Sequence, residues 1–178
     1  MRFAFILLLF AASGADGAID TLATPTPHPE DVSSADAIIT ALYDVISGPA
    51  GQARNFDRMR SLFLPGAIMV ATGTRPDGSV GHRRLSVEEY IAASGPMLVQ
   101  SGFTEREIGR TTEQFGTIMH AFSAYEATFT GRDGKPASLR GINTIQLFND
   151  TKRWWIVSIL WQAEGKEKIP GKYLDGNQ

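Results

Sequence analysis

The stretches FGTIMHAFSAYEATF (115–129), LRGINTIQLFND (139–150) and KRWWIVSILWQ (152–162), with the GRDG turn at 131–134 between the first two, decide the fold. They predict three consecutive β-strands joined by tight turns, each rich in the β-branched and aromatic residues that suit a pleated, packed surface. Centring the first turn near Asp133 and the second near Thr151 places Glu126 opposite Arg140, His120 opposite Gln146 and Trp154 opposite Phe148. Side chains alternate along a strand. One face then carries His120, Phe122, Glu126, Arg140, Gln146, Trp154 and Ser158, and the other Asn143, Trp155, Val157, Ile159 and Trp161. Both faces are apolar, whereas a sheet wetted on one side alternates with polar residues. Helices are expected over the first face and a second subunit over the other, giving a homodimer through the sheet.

Upstream, Ser34 is a good N-cap for a helix from Ala35 to about Ser47, with Ala35, Ile38, Ile39, Leu42 and Ile46 on one stripe. Asn55 caps a short second helix carrying Phe56, Met59 and Phe63, ended by Pro65-Gly66. Ala67–Thr72 reads as a brief strand that turns back at Pro76-Asp77-Gly78 through Val80. Ser86 and Glu89 form a capping box that opens a third helix towards Ser94. Residues 104–114 are polar and suit an exposed edge strand, on which Glu105 and Glu107 read as solvated charges. Helices segregated from an antiparallel sheet define an α+β domain.

At 178 residues, with 43% hydrophobic and 20% charged residues, the chain suits one domain with a sufficient core. A net charge of −2 gives no footprint for nucleic acid. Three histidines, at 28, 82 and 120, have no metal-ligand spacing, and no cofactor motif or nucleophile elbow is present. Residues 1–15 have the charge, short apolar run and small-residue end of a signal peptide, cut after Ala15 or after Ala18. That implies a periplasmic or secreted protein with no stable membrane anchor after cleavage. Residues 16–33 read as a mobile Pro-rich linker, 34–164 as the domain, and 165–178 as a surface tail.

From Ala35 to Ala163 the residues resemble the nuclear transport factor 2-like superfamily and its SnoaL-like branch. The resemblance is carried by LFLPGAIMVATG (62–73), RGINTIQLF (140–148), FGTIMHAFSAYE (115–126) and above all RWWIVSILWQ (153–162). It implies three helices on a curved antiparallel sheet, a cone (a cystatin-like roll) with a central cavity, and frequent dimerisation. Tyr43 matches the tyrosine that donates to the developing enolate in the family's ketosteroid isomerases. The segment matching their base-bearing strand, Ile68–Thr72, has no carboxylate. The expectation is a domain binding a small, largely apolar molecule without a cofactor. The pocket residues would be Gln146, Phe122, Glu126, Arg140, Trp154 and Ser158. The alternatives are a non-catalytic structural or assembly domain, and a lyase or isomerase of the ketosteroid isomerase or scytalone dehydratase type. In an enzyme, His120 would be the acid/base, Tyr43 the hydrogen-bond donor and Gln146 the group orienting the histidine. Asn143, Trp155, Val157, Ile159 and Trp161 would form the dimer interface.

Overall fold

The computed structural model describes residues 24–74 and 78–174, so the expected signal segment, residues 75–77 of the expected turn and residues 175–178 lie outside the described residues. The elements are α1 (Ala35–Ile46), α2 (Phe56–Leu62), β1 (Phe63–Thr74), β2 (Val80–Ser86), α3 (Val87–Ser101), β3 (Thr104–Phe115), β4 (Ile118–Thr130), β5 (Pro136–Asn149) and β6 (Trp154–Ala163). Short 3-10 turns at Pro29–Val32 and Gly171–Tyr173 flank them.

The six strands form one sheet in the order β2-β1-β6-β5-β4-β3. It is a mixed sheet, which corrects the expectation of an antiparallel one, because β1 pairs β6 in parallel. The physical cause is the path of α3. The β1–β2 hairpin forms one edge, and α3 carries the chain to the opposite edge to begin β3. Three reversals later β6 arrives beside β1 running in the same direction. All three α-helices lie against the same face of this sheet.

Local signals set the helix ends. Ser34 accepts from the Ala37 amide at 3.0 Å, and Asn55 from the Arg58 amide at 2.9 Å. Ser86 and Glu89 make the reciprocal capping box. The third helix runs past its expected end near Ser94 to Gly102, whose left-handed backbone (φ 64°) closes it. Pro96 is tolerated because the bond it cannot make would run to the carbonyl of Ala92, an exposed residue that water reaches. Phe63 opens β1 rather than ending α2. The end of the Pro-rich linker is docked: Val32 joins the core, and Asp31 is held bidentate by Arg58 at 2.7 and 2.8 Å.

The β4–β5 register is as expected, with Glu126 opposite Arg140 and His120 opposite Gln146. The β5–β6 register is displaced by one: Trp155, not Trp154, faces Phe148. The connecting loop is held by Asx bonds, the Thr151 amide donating to Asn149 Oδ1 and the Lys152 and Arg153 amides to Asp150 Oδ1. Thr151 there takes a left-handed backbone, φ 76°.

Two bulges then decide which side chains face the helices. In β6 the ladder shifts around Val157, so Trp154 and Ile156 are buried before it, and Ile159 after it. In β3 the shift falls at Ile108, which brings Arg110 onto the same face as Glu107. Each extra residue reverses the alternation beyond it.

Candidate functional site

Between α1, α3 and the helix-facing side of the sheet lies a cavity of about 270 Å³. Its walls are Leu42, Tyr43 and Ile46 of α1, Tyr90, Ser94, Met97 and Leu98 of α3, and the inner side chains of β1 and β3–β6. Small inward residues on β4, notably Ala121, Ser123 and Ala127, leave room beneath the helices. Met97, 47% exposed, and exposed Ala163 mark where the cavity reaches the surface. Glu105 is the one carboxyl among its lining, which holds no Lys, Arg or His.

Glu105 sits on β3 opposite Ala127, so its side chain enters the helix-covered side instead of solvent. Its backbone is clamped to α1, since the Glu105 amide donates to Ser47 Oγ at 2.9 Å. The Asn143 amide donates to Glu105 Oε1 at 3.1 Å. Burial nevertheless pushes the carboxyl up to about 7, with the Asn143 bond as the opposing influence. The hydroxyls of its neighbours Tyr90 and Tyr125 make no hydrogen bond to protein among the described residues, and burial raises both phenols above their ordinary value. Tyr125 rests on Gly141, where an added Cβ would stand 2.4 Å from its hydroxyl.

A hydrogen-bonded chain supports Asn143. Ser123 Oγ donates to Glu107 Oε1 at 2.5 Å, and Glu107 pairs with Arg110 at 3.0 Å. The single Ser123 proton is thereby used, so Tyr43 must donate to Ser123 across 2.7 Å. Tyr43 oxygen in turn accepts from the Asn143 amide at 3.1 Å. Both protons of that amide are committed, one to Tyr43 and one to Glu105. Tyr43 therefore lines the cavity as an acceptor that orients Asn143, and its own proton points away from a ligand. Arg110 continues the chain to Asp36 on α1 at 2.8 Å.

The structure separates the expected pair. His120 lies on the outer sheet face, with Nδ1 2.5 Å from Gln146 Nε2 and its ring tilted against Phe122. Tyr43 is on the opposite side, so the two cannot act on one molecule in the cavity. None of Gln146, Phe122, Glu126, Arg140, Trp154 and Ser158 lines that cavity. Trp154 is buried core; Phe122, Glu126, Arg140 and Gln146 follow the β4–β5 outer face, and Ser158 of β6 stands opposite Gln146. Asn143, Ile159 and Trp161, expected at a dimer interface, line the cavity instead. Trp155 does sit outside, under Arg153 and donating to Asp150 at 2.9 Å, while Val157 occupies the bulge. Glu126 and Arg140 face each other in register but pair elsewhere. Glu126 takes Arg106 at 2.6 Å, and Arg140 takes Glu164 at 3.1 Å.

Sequence reading missed Glu105 because TEREIGRTTEQF is polar on both sides and reads as a wetted edge. The signal available was the partner strand. AFSAYEA places Ala121, Ser123, Tyr125 and Ala127 on one face, and small residues opposite a glutamate leave space for an inward carboxyl.

No family model and no curated protein matches this chain. Solved structures do. A nuclear transport factor 2-like protein from Salmonella enterica serovar Typhimurium is 18% identical, with a TM-score of 0.54 over 74% of this chain and 89% of its own. A Xanthomonas campestris protein provisionally assigned as a calcium/calmodulin-dependent protein kinase II association domain is 15% identical, with a TM-score of 0.52 over 76% and 92%. A type 2 hexachlorocyclohexane dehydrochlorinase, LinA, is 8% identical, with a TM-score of 0.53 over 72% and 81%. At these identities the likeness establishes the fold alone. The chain has the nuclear transport factor 2-like fold.

Proposed function

We propose that this domain binds a small, largely apolar molecule in the cavity, with Glu105 as the polar contact. The carrying observation is a single carboxyl, raised to about 7, facing an otherwise uncharged cavity. Burying a carboxyl in this way is costly, and perturbed groups of this kind concentrate at functional sites. A carboxyl that titrates near neutrality can both take and return a proton. Turnover, where it occurs, would be a cofactor-independent isomerisation or elimination. Glu105 would take a proton from substrate carbon, and the free hydroxyls of Tyr90 and Tyr125 would donate to the oxygen that becomes negative. Asn143, fixed by Tyr43, holds the carboxyl in place.

Native mass spectrometry of protein purified from its own host tests the binding reading. A retained small molecule is expected, lost from a Ser94→Trp variant that fills the cavity while its melting temperature stays within a few degrees. No adduct, together with unchanged spectra for Ser94→Trp, would favour the rival reading of a structural or assembly domain. The N-terminal segment supports export to the periplasm or outside the cell. Fractionation should recover a mature chain beginning at Asp16 or Ile19, and a cytoplasmic chain retaining Met1 would end that reading.

A further inference from the structure

We infer that the ligand of this cavity is a small organic cation, an amine or ammonium carried on a compact apolar body. This rests on the reading of the cavity as a ligand site. The observation behind it is a charge imbalance. Two glutamates of β3 point towards the helices, and the fold treats them differently. Glu107 has a cation: Arg110 lies 3.0 Å away and is itself tied to Asp36. Glu105 has none. No salt bridge reaches it among the described residues, and its one side-chain hydrogen bond comes from the neutral amide of Asn143.

The groups facing Glu105 from each packed element leave that charge uncompensated. From α1 there is Tyr43, from α3 Tyr90, and from β4 Tyr125; β5 and β6 contribute Asn143 and Trp161, which carry no charge. On its own strand Arg110 is engaged by Glu107 and by Asp36, and Arg106, which alternates to the other side of the sheet, is engaged by Glu126. A cation entering the cavity would supply what the protein withholds, and a charged hydrogen bond to Glu105 Oε2 would offset the cost of its burial.

The walls suit an organic cation. Tyr90 meets Trp161 edge to face with ring centroids 6.1 Å apart, and Tyr125 lines the same cavity, so three aromatic side chains share it with the carboxyl. Aromatic faces attract ammonium groups, most strongly where water is excluded. A bare metal ion is a poor fit, because hard cations need six or more oxygen ligands and this cavity presents one carboxyl among apolar side chains. A volume of about 270 Å³ admits a molecule built on one six-membered ring.

Calorimetric titration of the full chain with 2-phenylethylamine and with 2-phenylethanol tests the inference. Near pH 8 the amine should bind at least roughly tenfold more tightly than the alcohol. Its affinity should fall roughly thirtyfold near pH 5.5, where Glu105 is protonated and the amine is still a cation. Glu105→Gln should remove the amine's advantage over the alcohol and the pH dependence of amine binding. Should that variant not fold, the two pH arms on the unaltered protein decide. An alcohol that binds as well as the amine at both pH values overturns the cation and leaves the cavity as a ligand site. Failure of both probes at millimolar concentration, with no retained ligand by mass spectrometry, overturns both readings.

Discussion

Glu105 carries a consequence for stability as well as for binding. Its carboxyl is raised from an ordinary 4.5 to about 7 in the folded chain. Below about pH 4.5 it is protonated in both states and costs nothing. Between these values the unfolded chain has released the proton and the folded chain has kept it, so stability falls as pH rises. Above about 7 both forms are ionised and the penalty is complete, on the order of 3 kcal/mol. Glu105→Gln keeps an oxygen for Asn143 and removes the charge. In urea unfolding it should match the parent near pH 4.5 and exceed it by about 1–3 kcal/mol near pH 8. An equal difference at both values would mean that the carboxyl is not buried as described. The residue was invisible to sequence pattern because burial of a polar strand depends on what crosses over it. Tyr43 was singled out by the family resemblance, yet its role was not legible, since the direction of its proton follows from Ser123 and Glu107 on two other strands.

Among the elements, the ends of α1 and α3 are joined by one buried cation. Arg54 is 8% exposed and donates to the carbonyls of Ile46, Gly48, Gln52 and Leu98 at 3.2, 2.6, 2.6 and 2.9 Å. Helix C-termini are the negative ends of their dipoles, which suits a guanidinium without a carboxylate partner. Arg54→Met fills much of the volume but strands those carbonyls, and should cost about 3 kcal/mol or more in chemical denaturation. A loss below about 1 kcal/mol would show that water replaces the guanidinium. On the sheet side, Gly141 is required by contact with Tyr125 and with the Gln162 carbonyl, each 2.4 Å from an added Cβ. Gly141→Ala should lower stability by about 2 kcal/mol and weaken ligand binding by displacing the Tyr125 ring. Binding unchanged beside a loss of stability would place Tyr125 outside the ligand's reach. The α1 and α3 starts were legible because caps are local chemistry. The bulges at Ile108 and Val157 were not: the first brings Arg110 to the inner face, and the second lets Trp154 and Ile156 be buried on the same side as Asn143, Ile159 and Trp161.

At the scale of the molecule, the outer sheet face is only partly covered by this chain. The segment after β6 returns across it, with Tyr173 against Phe122 at 4.7 Å between centroids and its backbone over Gly109. Phe115, Ile118 and Leu160 are left 85%, 58% and 38% exposed. An apolar face of this kind supports self-association through the sheet, and sedimentation at micromolar concentration should find a dimer that Ile118→Lys dissociates. A monomer would mean that the returning tail is the cover this face requires. The alternation of apolar residues, the turn chemistry and the helix caps were enough to determine the order of elements and the β4–β5 register, because each depends on neighbours in the chain. Which face became the cavity was decided only in three dimensions. A single inserted residue reverses a strand's two sides, and a carboxyl's charge state depends on walls contributed by elements far apart in sequence.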